Sequence, residues 1–263
     1  MKTVLTIAGS DPSGGAGIQA DMKTFAAHGL YGMSVITALT AQNTLGVQEV
    51  MAVPPDFFEK QLEAVLSDIP PDAVKIGMIP DKEIAWIIAE LLKKFRIKNI
   101  VTDTVMVSTS GRRLIAEDAL ETLKKRILCI SDVITPNIPE AEILCGRSIR
   151  TEDDMKSAAK ILSEETGSAV LVKGGHKAGA AVDILYDKGE FFRFESERID
   201  NPNTHGTGCT LSSAIACGLA SGMDIPQSVQ QAKEYLTEAI RQGLSLGHGI
   251  GPLDHIIKKS DKI

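Results

Sequence analysis

The sequence predicts an α/β protein of three layers, with a mostly parallel central sheet, helices on both faces and one small β-hairpin. Three observations carry that prediction. Between residues 73 and 135, short apolar runs (73–76, 99–102, 133–135) alternate with helical stripes such as Ile84, Ile87, Ile88 and Leu91, the rhythm of βαβ units. Residues 181–186 and 190–194 are strand-like and flank Asp187-Lys188-Gly189, a hairpin turn signal. The stretch from Asn201 to Met223 holds no Asp, Glu, Lys or Arg in a chain that is 24% charged. Its helix, with Leu211, Ala214, Ile215 and Leu219 on one face, is therefore expected to lie buried against the sheet.

The remaining elements follow in order. Residues 2–8 form a strand stopped by Gly9-Ser10-Asp11-Pro12, and the next helix stripes Ile18, Met22, Phe25 and Ala26, with Asp21 on its flank. Residues 33–40 and 47–53 are strands, and Pro54-Pro55 opens a helix through Phe58, Leu62 and Val65. A helix is expected over 116–128. Thr151 caps another, striped by Met155, Ala158, Ala159 and Leu162, and 169–173 is a buried strand. A long helix over 226–244 and a glycine-rich tail complete the chain. No repeat or linker divides it, so residues 1–263 are expected to form one domain. In an open sheet of this kind ligands bind at the carboxyl ends of the strands. The loops after Ala8, Thr40, Ile76, Thr102, Thr135 and Lys173 should then face one crevice.

Composition excludes several classes. A net charge of -6 argues against a nucleic-acid surface, and no apolar run approaches the ~18 residues of a membrane span. The amino terminus lacks the form of a signal peptide, so the cytoplasm is expected. Cys129, Cys145, Cys209 and Cys217 show no CxxC spacing, which suggests reduced thiols and no zinc site. A phosphate-bearing ligand would have to be held by local dipoles, a few cations and a metal.

Gly206 and Gly208 fall at the first turn of the charge-free helix. The amides of Thr207, Gly208 and Cys209, with the positive end of the helix dipole behind them, form a candidate anion site. The loop from Gly9 to Gly17 is not a P-loop, because Gly14 is followed by Gly15 and Ala16, and neither glycine cluster has dinucleotide spacing. Asn137-Ile138-Pro139-Glu140 has the form of a capping box, which explains it without a ligand. Asp103, ending a strand, reads as a turn residue. Asp21 reads as a first-turn carboxylate favoured by the helix dipole, and Gln42 as a loop residue able to hydrogen-bond a polar ring edge. Lys173 ends a buried strand, where a buried stem would leave its ammonium at the crevice. His176, His205 and His248 lie beside glycines without metal-ligand spacing, and are turn residues or minor phosphate contacts.

His205-Gly-Thr-Gly-Cys-Thr-Leu-Ser212 closely resembles the signature of the ribokinase-like vitamin kinases, in the version of the hydroxymethylpyrimidine/phosphomethylpyrimidine kinases of thiamine synthesis. The segment from Ile7 to Asp21, the run from Ile36 to Asn43 and His248-Gly-Ile-Gly-Pro252 match the same enzymes, so the resemblance covers nearly the whole chain. It implies a ribokinase-like fold, ATP and Mg²⁺ as cofactors, an aminopyrimidine alcohol and its phosphate as substrates, and a homodimer. It places Gly9, Asp21, Gln42, Met78 and Val105 at the substrate, with Gln42 reading the aminopyrimidine edge. It assigns Lys173, Thr207, Gly208 and Asn137 to the nucleotide, Glu140 and Asp103 to the metal shell, and Gly206, Thr207, Gly208, Lys173 and Cys209 to catalysis. Cys209 is then the candidate base, its thiol lowered by the helix N-terminus so that part of it is thiolate at neutral pH. A pyridoxal kinase is the nearest rival; those enzymes carry a lid cysteine where Ser108 stands here. Sugar kinases of the superfamily place Asp where Cys209 is. A non-catalytic nucleotide sensor is a third possibility, opposed by the joint presence of Lys173, Glu140 and Cys209.

Overall fold

A computed structural model describes residues 1–106, 117–175 and 181–257, the side chains of 117–119 excepted. Among these, one nine-stranded sheet runs in the order β3-β2-β1-β4-β5-β6-β7-β8-β9. Its core is six parallel strands: β2 (Tyr31–Asn43), β1 (Thr3–Ser10), β4 (Ala73–Ile76), β5 (Ile100–Thr102), β6 (Val133–Ile134) and β7 (Ala169–Lys173). The antiparallel strands lie outside them. β3 (Gly46–Ala52) folds back on β2, and the predicted hairpin is β8 (Ala181–Asp187) with β9 (Glu190–Ser196).

Alternation along the strands builds the three layers, because successive side chains point to opposite faces. Val4, Ala73, Val101, Val133 and Leu171 pack with α1 (Gly17–Ala27), α7 (Thr207–Ala220) and α8 (Ile225–Gln242). Leu5, Val74, Ile100, Ile134 and Val172 face the other way. There they meet α2 (Pro55–Asp68), α3 (Lys82–Lys94), α5 (Ile138–Cys145) and α6 (Glu152–Thr166). α7 has buried side chains all round from Thr210 to Ala220, as its lack of charge requires. The expected helix over 116–128 is α4 (Glu117–Thr122), which widens into a π turn at Leu123–Ile127 and tightens into a 3-10 turn at Leu128–Ile130.

One register differs from expectation. The buried residues of α1 are Ala20, Asp21, Thr24 and Phe25, so Asp21 lies at the centre of the packed face and Ala26 is exposed. The physical reason is a buried partner on β4, described below. Residue 116, Ser108 and His176 lie outside the described residues.

Candidate active site

Strand order sets the place. β1 has β2 on one side and β4 on the other, so the chain reverses its winding direction there and leaves a crevice at the carboxyl ends. Gly9 and Met78 meet at that point, and a Cβ on Gly9 would stand 3.1 Å from the Met78 sulfur. Thr37 fixes the Met78 backbone by donating its hydroxyl to the carbonyl oxygen at 2.8 Å. Val105, half-buried, follows β5 on the same edge.

α7 begins beside this point. Its N-cap, Gly206, has φ 87°, and a Cβ there would lie 1.9 Å from the Gly15 carbonyl oxygen, so only glycine fits. Thr210 N–H bonds Gly206 O at 2.9 Å, and Thr207 N–H reaches back to Thr204 O at 3.3 Å. Thr207 is therefore not the free donor expected. Gly208 and Cys209 keep amides with no acceptor among the described residues, aimed out of the first turn with the helix dipole behind them.

The charges of the crevice converge on that turn. Lys173 Nζ lies 2.9 Å from Asp103 Oδ1, which also accepts from Thr135 Oγ1 at 3.3 Å. A Cβ on Gly208 would stand 3.2 Å from Asp103 Oδ2 and 3.7 Å from Lys173 Nζ, so the glycine lets the helix start pass close to both. Burial pulls the Lys173 ammonium down, but Asp103 and Glu140 outweigh it and hold the group above its ordinary value. Glu140 completes the capping box foreseen for α5: Asn137 Oδ1 accepts from Glu140 N–H and Glu140 Oε2 accepts from Asn137 N–H, both at 2.9 Å. Thr104 Oγ1 donates to the same Oε2 at 3.0 Å.

Two nearly buried carboxylates thus stand near one ammonium, which contacts Asp103 and acts on Glu140 through space. Burial and the neighbouring Asp103 push Glu140 above the usual carboxylate range against the pull of Lys173, an environment that a divalent cation would relieve. A pair of carboxylates suits Mg²⁺, which takes one or two and completes its shell with phosphate oxygens and water.

The profile of the phosphomethylpyrimidine kinase family matches residues 11–254. The chain belongs to that family. It is 50% identical to the thiamine biosynthesis bifunctional protein ThiED of Geobacter sulfurreducens over 98% of this chain, and spans 53% of that longer protein. It is 48% identical to the hydroxymethylpyrimidine/phosphomethylpyrimidine kinase of Streptomyces coelicolor, covering 96% of this chain and 93% of the relative. Among solved structures, phosphomethylpyrimidine kinase from Clostridium difficile superposes with a TM-score of 0.83 at 51% identity, over 91% of this chain and 100% of that one. An ADP complex of Bacillus subtilis pyridoxal kinase matches with a TM-score of 0.90 at 38% identity, over 97% of each.

Within this kinase, two candidate residues sit differently from expectation. The Cys209 thiol is pushed up to about 11, because burial outweighs the nearby Lys75 ammonium and the Gly17 amide that bonds its sulfur. It is therefore a neutral thiol at pH 7, not a partial thiolate. Asp21 does not reach the crevice at all. It is fully buried and accepts from Lys75 Nζ at 2.9 and 2.8 Å, Thr6 Oγ1 at 2.6 Å and Ser213 Oγ at 2.7 Å.

Gln42 stands half-buried at the end of β2, its carboxamide touching Thr40 Oγ1 at 3.2 Å and His205 Nε2 at 3.3 Å. Sequence reasoning missed what holds it. His205 is buried, and its Nε2 donates to Asp11 Oδ2 at 2.9 Å, while the Asp11 carboxylate also accepts from Ser13, Gly15 and Ala16 amides. Burial alone would raise Asp11; the bonds from His205, Ser13 and Ala16 override it and hold the carboxyl at about 2. One buried hydrogen-bonded pair thus ties the glycine loop, Gln42 and the start of α7 together. His248 is exposed and donates its backbone N–H to Thr44 Oγ1 at 3.2 Å.

Proposed function

We propose that this kinase phosphorylates 4-amino-5-hydroxymethyl-2-methylpyrimidine with ATP, and then its monophosphate, to give the diphosphate used in thiamine synthesis. One observation carries the reading: α7 starts, at Gly208, directly against the Asp103–Lys173 pair, and the Gly208 and Cys209 amides of that turn have no acceptor among the described residues, at the sheet edge that also presents Gln42, Gly9 and Met78. Phosphoryl transfer asks little covalent chemistry of a protein, and positioning with charge stabilisation carries most of it.

The pyrimidine would lie between Gly9, Met78 and Val105, its amino group and ring nitrogen read by the Gln42 carboxamide. Its alcohol oxygen forms the new bond to the γ-phosphorus as the bond to the β,γ-bridging oxygen breaks, and ADP leaves with that electron pair. The Gly208 and Cys209 amides and the Lys173 ammonium stabilise the charge spread over the transferring group. Asn137, Thr207 and Lys173 border the nucleotide side. Glu140 and Asp103 would hold Mg²⁺, which supplies charge neutralisation for the phosphates.

Cys209 is the proton acceptor for the alcohol. Because its thiol sits at about 11, only the small thiolate fraction serves at neutral pH. The monophosphate, mostly dianionic at pH 7, needs no such acceptor. Incubation with ATP, Mg²⁺ and the pyrimidine alcohol, followed by chromatography, tests the reading: monophosphate should appear first and diphosphate after it. Turnover that stops at the monophosphate would refute the two-step assignment, and no turnover would refute the substrate.

A further inference from the structure

Lys75 belongs to none of the roles above. It lies on β4 with its side chain wholly buried, and its ammonium is paired with an equally buried Asp21 of α1. Such a pair costs several kcal/mol to desolvate, and a well-packed apolar pair would often serve stability as well or better. Its placement indicates another use. Asp21 also takes hydroxyls from Thr6 of β1 and Ser213 of α7, so the pair ties together β1, β4, α1 and α7, the elements that carry Gly9, Met78, the glycine loop and the anion-binding turn.

Ser213 lies one helical turn beyond Cys209, so this bond sets how the first turn of α7 sits on the sheet. The ammonium is also close to the crevice floor. A Cβ on Gly77, next to Met78, would meet Lys75 Nζ at 2.9 Å. Its charge also works against the upward shift of the Cys209 thiol. Positive charge is thereby buried beneath the start of α7, with its counter-ion bonded to Ser213 of the same helix.

We propose that Lys75 is a further positioning residue of the transfer reaction, acting on the start of α7 through Asp21 and Ser213 and placing a buried positive charge beneath it. The inference rests on the kinase reading, because it needs α7 to be where the phosphoryl group moves. Lys75→Met alone would strand the Asp21 carboxylate and endanger the fold, so the informative protein is the double variant Lys75→Met/Asp21→Asn. Wild-type turnover of the pyrimidine alcohol, measured in parallel, tests the kinase reading separately. With that turnover present, the double variant should melt near the wild type, keep KM for both substrates within about twofold and lose about tenfold or more in kcat. Adding the pair of substitutions to Cys209→Ala should cost clearly less on the alcohol step than adding it to the wild type, since both act at one turn. A folded double variant with wild-type kcat would overturn the proposal. If the double variant does not fold, Ser213→Ala decides, because it cuts the tether and leaves the ion pair: lowered kcat at unchanged KM supports the role, and unchanged kcat refutes it.

Discussion

Gln42 owes its position to neighbours that a substrate does not supply. Its carboxamide oxygen accepts from the Thr40 hydroxyl, and its other end lies in contact with the His205 ring that Asp11 fixes, so the group is oriented before any ligand arrives. Gln42→Leu should therefore weaken use of the pyrimidine by roughly 1 to 3 kcal/mol in kcat/KM and leave ATP binding nearly unchanged. Calorimetric titration with a non-hydrolysable nucleotide beside steady-state kinetics measures the two losses; equal losses would remove Gln42 from recognition. Cys209 makes a prediction about pH. With the thiol at about 11, the alcohol step should accelerate with rising pH well beyond neutrality, by up to about tenfold per unit. The monophosphate step should be flat there, because its nucleophile is already ionised above its second pKa near ~6. Cys209→Ala should abolish the slope of the first step and leave the second little changed. Single-turnover rates for each substrate from pH 6.5 to 9 would show it, and equal effects on both steps would reduce Cys209 to its backbone amide.

Among the elements, α7 has the most demanding environment, and its flanks show how titration reaches it. His255 is buried against it, with Nε2 3.0 Å from Thr210 Oγ1, while Tyr235 of α8 donates to the His255 carbonyl oxygen at 3.0 Å. Burial and the neighbouring Lys23 lower the imidazole from 6.5 to about 4, so the fold holds it neutral. A base whose folded value is depressed binds its proton more readily in the unfolded chain. Its contribution to stability is thus complete above about 6.5 and is lost as pH falls toward 4. Melting temperatures should decline across that window, and His255→Gln should flatten the decline; an unchanged decline would place its origin elsewhere. The elements themselves were largely legible in the sequence, because βαβ rhythm, capping residues and a charge-free helix are local signals. Asn137 and Glu140 illustrate this, since their spacing forecast a cap that the structure contains. What escaped was set by long-range partners. The apolar stripe of α1 rotates toward Asp21 because Lys75, 54 residues on, waits on β4. A lysine inside the four-residue run Ala73–Ile76, otherwise apolar, was the available clue. The His205–Asp11 pair spans 194 residues and had none. For Cys209 the helix dipole suggested one direction and burial imposed the other, and burial cannot be read from spacing.

At the scale of the whole molecule, strand order gathers distant residues onto one edge, and that edge is where the candidate site lies. Gly9, Gln42, Met78, Asp103, Asn137 and Lys173 follow or end strands or close the loops after β1, β2, β4, β5, β6 and β7. The same architecture serves pyridoxal kinases, as the ADP complex from Bacillus subtilis shows by its superposition. Fold alone therefore does not select the substrate. Selection depends on the polar edge that Gln42 reads and on tolerance of a phosphorylated substrate beside the α7 amides. The most direct measurement is kcat/KM with ATP for hydroxymethylpyrimidine, its monophosphate, pyridoxal and ribose under one set of conditions. Both pyrimidines should lead, pyridoxal should fall behind by at least about tenfold, the cost of one poorly matched hydrogen-bonding edge, and ribose should be inert. Pyridoxal ahead of the pyrimidine alcohol would contradict the account.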